Sequence, residues 1–339
     1  MAARLSLRTL RYFVAAAEAG SLTGAAARVH VSQPSLSEAI SRLEADLGVK
    51  LFLRRQSRGL ALTVPGDRFL VQARNLLAHA DEVERFADTM GDRLAGEIRI
   101  GCFVTLAPFV LPALLSEFAA QHPGIHVSFE EGNQQELLER LRQGRCELAM
   151  TYAYGLGEEF ESEVLAELPP RVVVAADDPR ARRRRISLKE LADAPMVLLD
   201  LPHTRDYFLS LFRSVRIEPR IAYRAHTYEM ARGLVARGLG YTILNAIPRQ
   251  SLTYDGKRVA AVPIEESLPK TLAVSLRPKR ASPRPTVAAF AEFTQRFFTR
   301  SWEEIVETLP RPLRVSRRPS AAPDAAAPRR TARASRSSR

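Results

Sequence analysis

Hydrophobic residues recur at helical spacing near the start of the chain, and the clearest pattern covers residues 21–48. It predicts two short helices joined by a tight turn. Ser21 and Ser32 stand at the N-cap positions of the two helices, and Gly48 follows the end of the second. The second helix carries one apolar stripe, formed by Leu36, Ile40, Leu43 and Leu47. A short helix, a turn and a capped helix with a polar outer face are typical of the helix-turn-helix, which places side chains in the DNA major groove.

The flanking segments support this interpretation. Ser6 is placed to cap an earlier helix, and two short strands at 51–53 and 60–62 enclose a basic turn. Such a basic hairpin, called a wing, can contact phosphate oxygens or the minor groove of DNA. A single helical pair is more often a hairpin inside a core, but three capped helices beside a basic hairpin favour DNA binding. The side chains expected at the DNA are Ser21, Thr23, Ser32, Gln33, Pro34, Ser35, Ser37, Glu38 and Arg42, with Arg54, Arg55 and Arg58 on the wing.

Residues 5–66 closely resemble the N-terminal domain of LysR-type transcriptional regulators. The matching residues are Leu10-Arg11-Tyr12-Phe13-Val14, Gly20-Ser21-Leu22-Thr23, Ala25-Ala26, Val31-Ser32-Gln33-Pro34-Ser35-Leu36-Ser37, Ile40, Leu43-Glu44, Leu47-Gly48, Leu51-Phe52, Leu62-Thr63 and Gly66. The chain departs from the family pattern at Gly24 and Glu38, where basic residues are frequent, and at Pro65. Glu38 matters most, because glutamate accepts a hydrogen bond from cytosine N4 whereas arginine donates to guanine. We therefore expect an all-α winged helix-turn-helix DNA-binding domain over residues 1–64.

A long helix is predicted next, starting near Pro65 after the cap Thr63 and running to about Arg93. Apolar residues repeat along it at alternating steps of three and four, which is typical of a coiled-coil seam. The two series are Ala73, Ala80, Ala87 and Leu94, and Phe69, Leu76, Val83 and Met90. The alternative is a helix lying on its own domain, but the persistent spacing favours dimerisation. The resemblance likewise implies a linker helix at 65–94, paired between the subunits of a homodimer or homotetramer that reads two-fold half-sites.

From Gly96 onward, strands and helices alternate, which predicts a mainly parallel α/β architecture. The predicted strands cover 98–101, 125–131, 146–152, 172–176, 196–199, 220–224, 241–244 and 271–276, and the helices cover 111–121, 134–142, 206–214, 228–237 and 286–298. The resemblance implies an effector-binding domain at 95–310 with two subdomains, similar to type II periplasmic binding proteins. Subdomain I would hold about 96–165 and 269–305, and subdomain II about 166–268.

The net charge of +12 is concentrated at the two ends of the chain. Residues 1–60 hold nine Lys and Arg against four acids, and residues 311–339 hold nine Arg against one acid. A nearly neutral body between basic ends indicates a nucleic-acid partner. We expect 311–339 to be a disordered tail of Arg, Ala, Pro and Ser, with at most sequence-independent attraction to DNA.

Candidate effector-binding residues follow predicted strands, because ligands of α/β sheets bind beyond the carboxyl ends of the strands. They are Thr105, Asn133, His203, Thr204, Arg205 and Thr227. For each hydroxyl or amide the alternative role is a helix cap. Arg205 and His203 favour a small anionic effector.

The sequence contains no recognisable catalytic motif, cofactor-binding motif or set of metal ligands, so we expect a regulator and not an enzyme. One alternative is an α/β solute-binding or enzymatic domain with an accessory DNA-binding domain. Another is a thiol redox regulator, but Cys102 and Cys146 lie at predicted strands and suit buried, inert thiols. Peroxide-sensing members of the LysR-type family use cysteines in the second subdomain, and this chain has no cysteine after Cys146. Arg4, Arg8 and Glu18 interrupt any signal peptide, so we expect a cytoplasmic protein without a membrane partner, with RNA polymerase as a further candidate partner.

Overall fold

The computed structural model of the protein describes residues 5–55, 59–88, 94–279 and 283–306. The helices in these ranges are α1 Leu7–Ala19, α2 Leu22–Arg28, α3 Gln33–Leu47, α4 Val64–Asp88, α5 Ala107–Gln121, α6 Gln134–Arg142, α7 Thr204–Ser214, α8 Tyr228–Ala236 and α9 Pro285–Ile305. The strands are β1 Phe52–Arg55, β2 Gly59–Leu62, β3 Gly96–Phe103, β4 Ile125–Gly132, β5 Leu148–Tyr152, β6 Phe160–Leu168, β7 Arg171–Ala175, β8 Met196–Leu199, β9 Ile221–Ala225, β10 Thr242–Leu244, β11 Val259–Pro263 and β12 Thr271–Pro278.

Helices α1 to α3 and the β1–β2 hairpin form the winged helix-turn-helix, as predicted. Ser6, Ser21 and Ser32 cap the three helices through their hydroxyls. The buried face of α3 meets α1 in one core, where the ring of Phe13 lies 5.3 Å from that of Phe52 on the wing and 5.1 Å from that of Phe69 on α4. Because α4 supplies part of this core, its first turns belong structurally to the DNA-binding domain.

Helix α4 begins against the wing. The hydroxyl of Thr63 accepts from the backbone N–H of Gly66 at 3.0 Å, so the predicted cap is confirmed. A Cβ at Gly66 would lie 2.1 Å from the carbonyl oxygen of Leu51, so only glycine allows this approach. The predicted continuation to Arg93, with Met90, lies outside the described residues.

The predicted seam of α4 divides into two parts. Ala73 and Phe69 pack against the chain's own DNA-binding domain. This part of the helix therefore fits the alternative to a coiled coil, in which the helix lies on its own domain. Leu76 and Val83, farther along, are 46% and 55% exposed. Only the later part of the stripe therefore remains for a partner helix.

The rest of the chain forms two hydrophobic cores, which we call subdomain I and subdomain II. The core of subdomain I comes chiefly from residues 98–168 and 273–306, and that of subdomain II from 172–264. The chain crosses between them twice, after β6 and after β11, and the side chain of Leu201 packs against both cores. The boundaries of the domains and subdomains stay a prediction.

The sheets are mixed, so the expectation of a mainly parallel architecture is wrong. Subdomain I has the strand order β4-β3-β5-β12-β6, with β12 antiparallel to both neighbours. In subdomain II, β7 pairs antiparallel with β10 and β11, while β8 and β9 are parallel. Each of the two strands with antiparallel partners on both sides, β7 and β12, is the first strand after the chain crosses from one subdomain to the other. Strands β6 and β11 were absent from the prediction.

Candidate DNA-binding face and effector cleft

The first turn of α3 presents an exposed polar surface. Gln33 and Pro34 are exposed, while Leu36 directly behind them is buried. The Ser32 hydroxyl accepts from the backbone N–H of Ser35 at 3.3 Å, and the two serine hydroxyls lie 2.7 Å apart. Both serines therefore take part in the cap, yet they remain exposed. A hydroxyl that caps a helix can also bind a phosphate or a base edge.

One turn later, Glu38 and Arg42 form an ion pair on the outer face of α3. Arg42 Nη2 lies 2.9 Å from Glu38 Oε1, and both side chains are 73% exposed. Such an exposed pair at i, i+4 contributes only about 0.3–0.5 kcal/mol to stability. Either residue can therefore leave the pair at small cost and turn to DNA, but the net charge of the pair is zero.

On α2, Ser21 caps the helix by accepting from the N–H of Gly24 at 3.1 Å, and Thr23 is exposed. A Cβ at Gly24 would come within 2.8 Å of the Ser21 hydroxyl. Basic residues are frequent at this position in the LysR-type family that the chain resembles. A basic side chain here would therefore displace the capping hydroxyl.

The wing is fixed to the end of α1. Strands β1 and β2 pair antiparallel, with Arg54 opposite Leu60 and Arg55 opposite Gly59. The N–H of Leu60 donates to the carbonyl oxygen of Gly20 at 2.7 Å. The backbones of Arg54 and Arg55 thus lie on the wing as predicted, whereas Arg58 lies outside the described residues.

Glu44 holds the wing against α3, a role that the sequence reasoning missed. This buried carboxylate accepts from the backbone N–H groups of Leu51 and Phe52 at 2.9 and 3.1 Å, and from Lys50 Nζ at 2.7 Å. Burial acts to raise its pKa, but the hydrogen bonds from Lys50, Leu51 and Phe52 prevail and hold the pKa of Glu44 below its ordinary value. The signal in the sequence was a charged residue four positions after Ile40, on the buried stripe.

The candidate effector residues lie at the N-termini of helices, and several of them are caps. Asn133 forms a capping box with Glu136 on α6, and the Thr227 hydroxyl caps α8 by accepting from the N–H of Met230. Thr105 is buried, with its hydroxyl 3.1 Å from that of Tyr152. Thr204 is 4% exposed, and its hydroxyl has no hydrogen-bond partner among the described residues.

The charge of Arg205 is already compensated. Its guanidinium lies 3.3 Å from Asp200 and 3.4 Å from Asp206, and Arg224 binds the same Asp200 at 2.8 Å. Burial acts to raise the pKa of Asp200, but Arg224 and then Arg205 lower it below the usual value. The backbone of neighbouring His203 has φ of +62°, in the turn that precedes α7. The charge of Arg205 is therefore a weaker argument for an anionic effector than the sequence indicated.

Aromatic side chains from the two subdomains pack against each other where the subdomains meet. The rings of Phe109 on α5 and Tyr228 on α8 lie 5.5 Å apart, edge to face. Those of Tyr154 and Tyr207 lie 4.9 Å apart. Burial raises the pKa of Tyr154 and Tyr207, so these hydroxyls are uncharged hydrogen-bonding groups near neutral pH. None of these aromatic residues is among the effector-binding residues predicted from the sequence.

Asn245 is hydrogen-bonded to one of these tyrosines. Its Nδ2 donates to the hydroxyl of Tyr154 at 3.2 Å and to that of Thr271 at 3.0 Å. Its Oδ1 is buried and has no hydrogen-bond partner among the described residues. The boundary between the subdomains therefore combines aromatic rings with a buried polar atom that has no partner among the described residues, a combination suited to a small ligand.

Comparison with known protein families identifies the family of the chain. Residues 7–67 match the model of the bacterial regulatory helix-turn-helix protein, lysR family, and residues 91–299 match that of the LysR substrate binding domain. The protein belongs to the LysR family of transcriptional regulators. It is a DNA-binding regulator whose DNA binding is modulated by an effector, with the helix-turn-helix at one end and the effector-binding domain at the other.

Similar LysR-family proteins span most of the chain. The HTH-type transcriptional regulator YnfL of Escherichia coli K12 is 36% identical over 248 residues, 71% of this chain and 82% of YnfL. A hydrogen peroxide-inducible genes activator of Pectobacterium carotovorum is 31% identical over 278 residues, 81% of this chain and 91% of the activator. The crystal structure of HinK from Pseudomonas aeruginosa has a TM-score of 0.58 and 35% identity, covering 86% of this chain and 98% of HinK.

The two cysteines of this LysR-family chain are both buried. Burial raises the pKa of Cys146 to about 12, and that of Cys102 also lies above the ordinary thiol value. Thiols in such surroundings are poor nucleophiles near neutral pH. No cluster of three or more His, Cys, Asp or Glu in the described ranges is arranged to hold a metal, and no helix within them is long and apolar enough to cross a membrane.

Proposed function

We propose that this LysR-family regulator reads a two-fold operator with the first turns of α3. The exposure of Gln33 and Pro34 at the capped start of α3, a helix that buries Leu36, Ile40 and Leu43, is the observation that carries the proposal. Ser32, Ser35, Ser37, Glu38 and Arg42 would contact bases and backbone from α3, Ser21 and Thr23 from α2, and Arg54, Arg55 and Arg58 would contact phosphates.

The two half-sites require two copies of the chain, and α4 supplies the surface for pairing them. Leu76 and Val83 are exposed on a helix whose earlier turns are already packed. A second copy of α4 would bury both side chains in a symmetric contact. We propose a homodimer built on this stripe, assembled further into a homotetramer at promoter DNA in the cytoplasm, where RNA polymerase is a further partner.

We propose that the effector binds in the cleft between the subdomains. Support comes from the Thr204 hydroxyl and the Asn245 Oδ1, which have no hydrogen-bond partner among the described residues, and from the contact between the rings of Tyr154 and Tyr207. Thr105, Asn133, His203, Arg205 and Thr227 stand at the surrounding helix N-termini. Because Arg205 is ion-paired, an anionic effector would be held chiefly by hydroxyl and backbone N–H groups.

A mobility-shift titration with the intergenic DNA beside the gene tests the DNA-binding proposal. We expect a specific complex that weakens steeply with added salt, since phosphate contacts release counterions. Replacing Gln33 by Ala should weaken the specific complex and leave non-specific binding unchanged. Asp46→Ala, at the far end of α3, is the matched control. Equal affinity for the intergenic DNA and for an unrelated fragment would refute the proposal.

A thermal-shift screen of the full chain tests the effector site. The screen uses small carboxylates, amino acids and aromatic acids, the classes that hydroxyls and aromatic faces can hold. We expect at least one compound to raise the unfolding temperature of wild type, and Thr204→Val to abolish that rise. A stabilising compound that acts equally on Thr204→Val would place the site elsewhere.

A further inference from the structure

The segment that follows β10, residues 245–248, belongs to subdomain II by chain order but contacts subdomain I. The Nδ2 of Asn245 donates to the hydroxyl of Thr271, on β12, at 3.0 Å. Ala246 is 2% exposed and packs in the core of subdomain I. The next residue, Ile247, returns to the core of subdomain II. The chain thus reaches into subdomain I here without crossing over to it.

The end of α9 meets the same segment. Val306, directly after α9, pairs with Pro248 as an isolated antiparallel bridge. The side chain of Val306 is buried in the core of subdomain I, and its N–H donates to the carbonyl oxygen of Trp302 in the last turn of α9 at 3.0 Å. Trp302 stacks in turn on Phe298, with ring centroids 5.2 Å apart. Val306 is therefore fixed to subdomain I on one side and paired with Pro248 on the other.

Subdomain II holds this stretch of chain through α8. The hydroxyl of Tyr228, on α8, donates to the carbonyl oxygen of Ala246 at 2.5 Å. Arg232, one turn later on α8, donates to the carbonyl oxygens of Gln250 and Leu252 at 3.2 and 2.9 Å. Because the stretch is tied to a helix of subdomain II, it cannot simply follow subdomain I when the two subdomains move apart.

We propose that the bridge between Pro248 and Val306, together with Ala246, is a latch that keeps the boundary between the subdomains closed. The two covalent crossings, after β6 and after β11, are connections of the kind that permits hinge rotation. The latch adds a third, non-covalent connection at the end of α9. Opening the boundary must therefore break the bridge and expose the apolar side chains of Ala246 and Val306 to water.

The latch opposes entry of the effector. The rings of Tyr154 and Tyr207 are in contact, as are those of Phe109 and Tyr228, so a ligand at this boundary has to separate them. The measured affinity is then the intrinsic affinity reduced by the fraction of molecules whose boundary is open. Weakening the latch raises that fraction and tightens binding. This step rests on the proposed function, because it places the effector between the subdomains.

Hydrogen–deuterium exchange on the full chain, without DNA or effector, tests the latch. In Val306→Ala two methyl groups are lost from the contact, and we expect amides 245–247 to exchange about tenfold faster or more. We expect the same of amides 204–208, in the first turns of α7, because opening removes the packing of Tyr207 on Tyr154. The second segment distinguishes opening of the boundary from fraying at the bridge alone.

The matched control is Val287→Ala, because Val287 has the same 3% exposure as Val306 and lies in the same core, but near the other end of α9. It should leave both segments unchanged. If Val306→Ala fails to fold, Val306→Thr, which nearly keeps the volume of valine, decides the question. Unchanged exchange of amides 204–208 in a folded Val306 variant would overturn the proposal, and so would equal acceleration in Val287→Ala.

The thermal-shift screen of small carboxylates, amino acids and aromatic acids, repeated on the variants, adds a functional test. Each compound that stabilises wild type should act on Val306→Ala at about tenfold lower concentration, since more molecules are open, and on Val287→Ala at the wild-type concentration. An equal or higher midpoint concentration in Val306→Ala would count against the latch. Failure of the proposed effector site would look different, because no compound would then stabilise wild type while the exchange result still decides the latch.

Discussion

Replacing Glu44 should loosen the wing and weaken DNA binding. In Glu44→Ala the N–H groups of Leu51 and Phe52, both on buried residues, lose their acceptor. Each unsatisfied buried donor costs about 1–3 kcal/mol, so the loss for the two donors is roughly 2–6 kcal/mol of local stability. Glu44→Gln keeps a carbonyl oxygen for both donors and should cost about 1–2 kcal/mol, because charge assistance is lost. Lys50→Met removes only an exposed partner and should cost under about 1 kcal/mol.

Amide exchange of the wing measures these differences directly, because each ~1.4 kcal/mol changes the opening equilibrium about tenfold. Glu44→Ala should therefore speed exchange at Leu51 and Phe52 by a factor between about 30 and about 10⁴, with Glu44→Gln in between and Lys50→Met near wild type. Affinity for the intergenic DNA should follow the same order. If Glu44→Ala and Lys50→Met exchange alike, the reasoning is refuted.

The same carboxylate predicts a pH dependence. The folded-state pKa of Glu44 is lowered from its ordinary 4.5, so its stabilising contribution is complete above that value and is lost as pH falls through the folded pKa. In wild type, wing protection should decrease on acidification below pH 4.5, whereas Glu44→Gln should lack this component. Exchange measured across this range, corrected for the intrinsic rate, checks the sign.

Three further outcomes are expected. Val83→Glu or Leu76→Glu should weaken self-association about a hundredfold or more, since a charge would be buried in the apolar contact, and analytical ultracentrifugation should show monomers; an unchanged dissociation constant would exclude the α4 contact. Glu38→Arg should shift one selected operator base from cytosine to guanine, by roughly 1–3 kcal/mol in a DNA-selection assay, and an unaltered consensus would mean that this side chain does not read a base. Replacing Cys102 and Cys146 together by Ala should leave DNA binding under peroxide the same as wild type, whereas a peroxide response lost only in the double variant would show that these thiols react.

Helices with strong local signals were predictable from the sequence. The bounds of α6 agree with the prediction because Asn133 and Glu136 make a capping box that depends only on neighbouring residues. Strand β6 was missed because its buried residues Phe160, Leu165 and Leu168 follow no period of two. A register shift opposite Ala273 interrupts the alternation, and that irregularity is set by the partner strand β12.

The two candidate sites also differ in how far they can be predicted, because one depends on local sequence and the other on packing between distant segments. The candidate DNA-binding residues of α3 lie off the buried stripe of the same helix, so local sequence is enough to point to them. Between the subdomains, the ring of Tyr154 contacts that of Tyr207, and the ring of Phe109 contacts that of Tyr228. The members of each pair are distant in sequence, and only the packing of the two subdomains brings them together. Strand ends indicated the region of the cleft, but neither its aromatic character nor the pairing of Arg205 with Asp200 could be derived from local sequence.

Strand β12 lies between β5 and β6, yet it is the last of the described strands to leave the ribosome. The nascent chain therefore carries β5 and β6 with open edges while all of subdomain II is being synthesised. The core of subdomain II comes from one continuous stretch and can close in the meantime. Translation thus completes the DNA-binding domain first and the sheet of subdomain I last. A product that ends before Thr271 would therefore carry a complete DNA-binding domain without a complete effector-binding domain to control it.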